Sequence, residues 1–223
     1  MLKKESVTIE MYNIIKELQN NILFENHILA GGTGIALQLG HRTSTDIDLF
    51  TYNKQNSVAL TEYFRKNYKN YVEDIVSDAF TRVYINKIKI ELIHDDENKI
   101  VNNPLIEDGI KYFNIKEISA MKIKAIQGRT EARDFIDLAY LLKEMPLKDM
   151  FEIYKGKYGS ISELMMKRTI KYKCENIKEN EWLIDIKMLR EDIKPENILG
   201  CIEKGIDNYE KKIGKHVYDR INA

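Results

Sequence analysis

The chain is 223 residues long, 43% hydrophobic and 31% charged, a composition that suits a soluble, cored protein and excludes a disordered one. Its 35 basic residues balance 35 acidic ones, which leaves it far below a strong nucleic-acid footprint. No apolar run approaches the roughly 18 residues that span a bilayer, and the N-terminus has no signal-peptide core. The two cysteines, Cys174 and Cys201, are too few for a disulfide framework and lack metal-ligand spacing. These exclusions predict a cytoplasmic protein with no membrane partner.

Val7, Met11, Ile14, Ile15 and Leu18 fall at helical spacing, so the chain opens with an amphipathic helix. His27-Ile28-Leu29-Ala30 reads as a short strand running into a Gly31-Gly32 turn. Thr33 to Leu39 then forms a short helix, with Thr33 as its cap and Gly40 as its stop. Ile47 to Tyr52 alternates as a strand does, and Ser57 caps a helix running to about Tyr68. Phe80 to Ile85 and Ile88 to Ile93 are β-rich runs joined by Asn86-Lys87, a two-residue hairpin turn. Gly109 to Ile115 adds an edge strand. From Lys116 onward, Lys/Glu-rich segments with helical apolar spacing run to the C-terminus, with breaks near Pro146, Gly156–Gly159 and Pro195.

The predicted architecture is therefore α/β (α+β): an N-terminal lobe over 1–115 with a small mixed sheet, then a helical lobe over 116–223. Residues 1–110 carry four more acids than bases, and residues 111–223 four more bases than acids. An acidic part suited to cations would adjoin a basic part suited to phosphates, although chance explains so small a split about as well.

Chemistry concentrates between Ala30 and Leu49. Two glycines after a strand let backbone N–H groups approach a ligand with no Cβ in the way. A helix starting there offers free N–H groups and its dipole to an anion such as a phosphate, and Thr33 adds a hydroxyl. Asp46 and Asp48 flank Ile47 at the start of a strand, so both carboxylates project from one face, about 7 Å apart at Cα. Hard oxygen donors in that arrangement suit Mg²⁺, which keeps phosphate and water partners. A glycine turn for phosphates beside paired carboxylates is what phosphoryl or nucleotidyl transfer requires. A lone Asp-x-Asp is more often a solvated turn, so the weight lies on the combination.

That combination resembles the polymerase-β-like nucleotidyltransferase superfamily, whose signature is Gly-Gly or Gly-Ser followed by Asp-apolar-Asp/Glu-apolar. The wording Leu29-Ala30-Gly31-Gly32-Thr33 with Gly40-His41-Arg42-Thr43-Ser44-Thr45-Asp46-Ile47-Asp48-Leu49-Phe50 resembles the AbiEii/AbiGii toxin branch, associated with bacterial toxin–antitoxin and phage-defence systems. The resemblance implies that Gly31, Gly32 and Thr33 touch the triphosphate of an NTP, and that Asp46 and Asp48 bind Mg²⁺, with Mn²⁺ as a substitute. It further implies an acceptor such as an RNA, for instance a tRNA, and a cognate antitoxin protein as partner. Arg42 either meets the triphosphate or pairs with a surface acid, and His41 is a loop or packing residue.

Members of the superfamily carry a third acid on a neighbouring strand. Lys89-Ile90-Glu91-Leu92 fits: with Ile90 and Leu92 in the core, Glu91 points to the other face as metal ligand or general base. The plain alternative is an exposed glutamate on an alternating strand. The branch also shows a lysine, an arginine and an Arg-Asp pair, matched here by Lys122, Arg129, Arg133-Asp134 and Asp137. Lys122 would hold nucleotide phosphates, with Arg129 assisting. Asp134 and Asp137 would orient these cations or form a buried network. Gly128 divides the segment if it breaks the helix. Two rivals stand beside the NMP-transferring enzyme: a degenerate member that only binds a nucleotide or partner, and an antibiotic- or protein-modifying nucleotidyltransferase.

Overall fold

The structure is a computed structural model that describes residues 1–95, 98, 100–178 and 186–221, with backbone alone from 212 onward. It divides into two compact units, the first Met1–Ile118 with Lys187–Leu189, the second Ser119–Ile186 with Arg190–Ala223.

The first unit is built on a seven-stranded mixed sheet. Its strands are β1 (Ile28–Leu29), β2 (Asp46–Thr51), β3 (Tyr71–Ile75), β4 (Phe80–Ile85), β5 (Ile88–His94), β6 (Leu105–Glu107) and β7 (Ile110–Tyr112), in the order β3-β4-β5-β2-β1-β7-β6. Helices α1 (Ile9–Gln19), α2 (Gly31–Leu39) and α3 (Ser57–Asn67) belong to the same unit. The alternation in β2 sends Ile47, Leu49 and Thr51 inward and leaves Asp46, Asp48 and Phe50 on the opposite face. Ile47 and Leu49 join a core with Ile90 and Leu92 of β5, Val83 and Ile85 of β4, and Leu60 and Phe64 of α3. Each such side chain, fully buried, contributes about 1.5–3 kcal/mol. That core fixes the register of β2 and β5, because a one-residue slip would bury the acids.

Asn86 and Lys87 adopt left-handed backbone, φ 49° and 70°, and close the β4–β5 hairpin as the sequence predicts. A second tight turn, Asp108-Gly109 with φ 50° and 76°, joins β6 to β7. Three local expectations need correction. The 109–115 strand is not an edge: β7 lies between β1 and β6, because the Asp-Gly turn folds Leu105–Glu107 back onto its outer side. Helix α3 is capped by Asn56, which accepts from Ala59 N, while Ser57 Oγ donates to Asp78 Oδ1 at 2.7 Å. Helix α2 begins at Gly31 behind Ala30, so Thr33 lies inside its first turn and caps nothing.

The second unit is helical: α4 (Ile115–Gly128, entered from the first unit), α5 (Ala132–Glu144), α6 (Leu147–Tyr158), α7 (Glu163–Glu175) and α8 (Ile198–Ile221). Helices α5, α6 and α7 each pack on α8. Gly128 does end a helix, so Lys122 on α4 and Arg133 on α5 do not share a continuous stripe. Gly156 sits within α6, and the break falls at Gly159, whose φ of 85° terminates the helix. Among the described residues, no helix is long and apolar enough to cross a membrane. The mixed sheet followed by helices is the fold class the sequence predicts.

Candidate active site

The pairing of β2 with β1 on one side and β5 on the other creates the site. Antiparallel β1 and β2 put Leu29 opposite Leu49, and Ala30 N donates to the Asp48 carbonyl at 2.9 Å. The chain then turns at Gly31, with φ +60°, and enters α2 beside the acids. A Cβ on Gly31 would lie 1.8 Å from Asp48 Oδ2, so only glycine admits this approach. The α2 N-terminus, whose first N–H groups have no intrahelical acceptor and which carries the positive dipole end, therefore stands against the Asp48 carboxyl.

Asp46 and Asp48 share one face of β2, and β2 runs parallel to β5 with Asp46 opposite Lys89 and Asp48 opposite Glu91. The structure thus brings Glu91 next to the pair, about 4.8 Å across the strand gap. Burial, then the neighbouring charges of Glu91 and Asp46, push the Asp48 carboxyl up to about 7, with Lys89 pulling the other way. A divalent cation is the kind of partner that would restore the anion at such a carboxyl. The donor set, carboxylate oxygens beside a helix N-terminus that can take phosphate, fits a hard ion such as Mg²⁺. Among the described residues, no three acid, His or Cys side chains are already closed into a metal-binding group.

Two cations outside the sequence expectations, Lys89 and Arg82, complete the cluster. Lys89 Nζ lies 3.1 Å from Asp46 Oδ2 and 3.6 Å from Glu91 Oε1. Burial works to lower the Lys89 ammonium, but Asp46, Glu91 and Asp48 outweigh it and leave it raised. Arg82 Nε donates to Glu91 Oε1 at 2.7 Å, and its Nη1 reaches Asp74 Oδ2 at 3.3 Å. Arg82 follows from the hairpin, whose two-residue turn at Asn86-Lys87 pairs it with Glu91, whereas Lys89 meets Asp46 through the parallel register of β2 with β5. The turn is the signal in the sequence that points to Arg82.

Other expected residues lie elsewhere or face inward. Thr33 is fully buried; its hydroxyl donates to the Asp46 carbonyl and lies 2.8 Å from Ser44 Oγ, so it ties α2 to β2. Arg42 is buried as well, with Nη1 donating to the Thr43 carbonyl at 2.9 Å and its backbone bridged to Met188. In the second unit, Lys122 is buried between Asp134 (2.7 Å) and Asp137 (2.8 Å). Arg129 Nε donates to Asp134 Oδ2 at 2.7 Å. Burial would raise the Asp134 carboxyl, but Lys122 and Arg129 prevail and hold it below its usual range. Arg133 pairs with Glu131 at 2.6 Å.

Comparison with known proteins adds the family. A family model described as "Nucleotidyl transferase AbiEii toxin, Type IV TA system" matches residues 13–209. The protein aq_aa25 of Aquifex aeolicus (strain VF5) is 29% identical over 176 residues, spanning 75% of this chain and 79% of that protein. Among solved structures, JHP933 from Helicobacter pylori superposes with a TM-score of 0.59 at 20% identity, covering 96% of this chain and 95% of that one. A second H. pylori crystal structure gives 0.58 at 19% identity, covering 92% and 93%. At these identities the structural likeness speaks for the fold.

Proposed function

The chain belongs to the AbiEii nucleotidyl transferase toxin family and is a nucleotidyltransferase, and from that premise we propose that it transfers a nucleoside monophosphate from an NTP to an RNA such as a tRNA, releasing pyrophosphate. In this reading the reaction depends on Mg²⁺, takes place in the cytoplasm, and makes the chain the toxin partner of a cognate antitoxin.

The observation that carries the reading is the placement of Asp46, Asp48 and Glu91 on one sheet face, with the Gly31 end of α2 pressed against Asp48. Bound there, Mg²⁺ supplies charge neutralisation for the triphosphate and lowers the pKa of an acceptor hydroxyl. The Gly31-Gly32 backbone N–H groups bind the phosphates, and Asp46 and Asp48 would hold the Mg²⁺ ion beside them. Glu91, held by Arg82 and Lys89, faces the same space and takes the acceptor proton or shares in ion binding. Lys122 and Arg129 serve nucleotide phosphates in this reading, with Asp134 and Asp137 fixing the Lys122 ammonium.

The test is incubation of the purified chain with total RNA and each α-labelled NTP, with and without Mg²⁺. We expect label on RNA, dependent on Mg²⁺ and abolished by Asp46→Ala. Equal labelling by that variant would overturn the catalytic assignment. Label on protein or on a small molecule instead of RNA would overturn the acceptor.

A further inference from the structure

Asp46, Asp48 and Glu91 place three carboxylates on adjacent positions of two paired strands. The three like charges repel one another, and partial burial strengthens that repulsion relative to water. The fold already answers part of it. The register that puts Glu91 beside Asp48 also puts Lys89 beside Asp46, and the Lys89 ammonium reaches Asp46 Oδ2 at 3.1 Å and Glu91 Oε1 at 3.6 Å. Arg82 closes the far side of Glu91 at 2.7 Å. Glu91 thus has two cations of the chain itself on one oxygen.

Two-ion transferases hold their metals about 3.5–4 Å apart, bridged by shared carboxylates. The bridging place between Asp46 and Glu91 is taken here by an ammonium. We propose that Lys89 is the resident cation of this cluster, a positioning residue that fixes Asp46 and Glu91 and restricts the site to a single divalent ion beside Asp46 and Asp48. A lysine suits the task because its ammonium is a compact point charge on a flexible stem. A second dication at the same place would meet the ammonium at contact distance. The inference rests on the metal-dependent reading above and deepens it, by giving the number of ions and the residue that sets it.

The experiment is Mn²⁺ titration of the full chain followed by electron paramagnetic resonance, without nucleotide, for the wild type, Lys89→Met, Lys89→Gln and Lys89→Arg. The wild type is expected to bind one ion. Removing the competing charge in either neutral variant should raise Mn²⁺ affinity about tenfold or admit a second ion, whereas Lys89→Arg should stay near the wild type. A rise in affinity cannot come from damage to the fold, and two neutral variants guard against one that fails to fold. If both neutral variants bind the same number of ions with the same or lower affinity, Lys89 does not set the ion count. Should the wild type transfer label in Mg²⁺ while that happens, only the Lys89 inference falls. Should the wild type neither bind Mn²⁺ nor transfer label, the metal-dependent reading falls with it.

Discussion

Gly31 and Asp48 stand so close that a Cβ built on the glycine would lie 1.8 Å from Oδ2 and 2.6 Å from Cγ of the aspartate. The glycine also holds φ at +60°, a region that costs a residue with a Cβ about 1 kcal/mol or more. Gly31→Ala is therefore expected to displace the Asp48 carboxyl and to abolish transfer, with a loss of stability of about 1–3 kcal/mol. Gly200→Ala is the control, since its Cβ would meet nothing within 4 Å inside α8. It should raise stability by about 0.5–1 kcal/mol and leave transfer intact. Thermal melts with label transfer on the two variants check both halves, and an active Gly31→Ala enzyme would remove the glycine from the site.

Thr33 reaches the site through the backbone. Its buried hydroxyl donates to the Asp46 carbonyl and lies 2.8 Å from Ser44 Oγ. Thr33→Val keeps the shape and deletes the donor, leaving a buried acceptor short of a partner at a cost of about 1–3 kcal/mol. We expect kcat to fall, because Asp46 starts the strand that this bond anchors, while Thr33→Ser retains most of the activity. If Thr33 instead bound the triphosphate directly, Thr33→Val would raise KM for NTP and spare stability. Steady-state kinetics and a denaturation curve separate the two.

Local chemistry was legible where it is set locally. The period of Asp46-Ile47-Asp48-Leu49 gave the face of the acids, and Asn86-Lys87 gave the hairpin, whose pairing already implied Arg82 opposite Glu91, with Lys89 two residues away on the same strand face. The parallel pairing of β2 with β5 is long-range and has no local signature; only the core demand on Ile47, Leu49, Ile90 and Leu92 hints at it. The fate of Arg42 was less legible still. The segment at 187–189 folds onto residues 41–43, with Thr43 N donating to the Lys187 carbonyl at 2.8 Å and Leu189 N to the His41 carbonyl at 2.9 Å. Nothing near Arg42 in sequence announces that cover.

Lys122 neutralises two fully buried carboxylates, Asp134 and Asp137. Lys122→Met should cost about 3–5 kcal/mol, because it strands buried charge. Combining it with Asp137→Asn removes one of the stranded charges and should recover a large part of that loss, a coupling typical of residues in contact. Transfer is expected to stay absent in the double variant if Lys122 serves the nucleotide phosphates. Recovery of transfer together with stability would make the lysine purely structural.

His27 provides a pH signature away from the acids. It is buried, with Nε2 3.1 Å from Gln55 Oε1, and Gln55 in turn donates to the Asp78 carbonyl at 2.9 Å. Burial lowers the imidazole below its usual 6.5, and the Gln55 contact only partly opposes this. A folded value below the unfolded one means that, as pH falls, the unfolded chain takes the proton first. The stability due to neutral His27 is thus complete above 6.5 and is lost as pH falls from there towards the folded value, below which it is flat. At its steepest the loss is about 1.4 kcal/mol per pH unit, the limit for one proton. His27→Gln removes the titration while keeping a polar partner for Gln55. Denaturant curves at about pH 7.5, 6.5 and 5.5 should show the wild type losing stability relative to the variant on acidification. A difference between the two that does not change with pH would mean that His27 accepts its proton in the folded chain as readily as in the unfolded one.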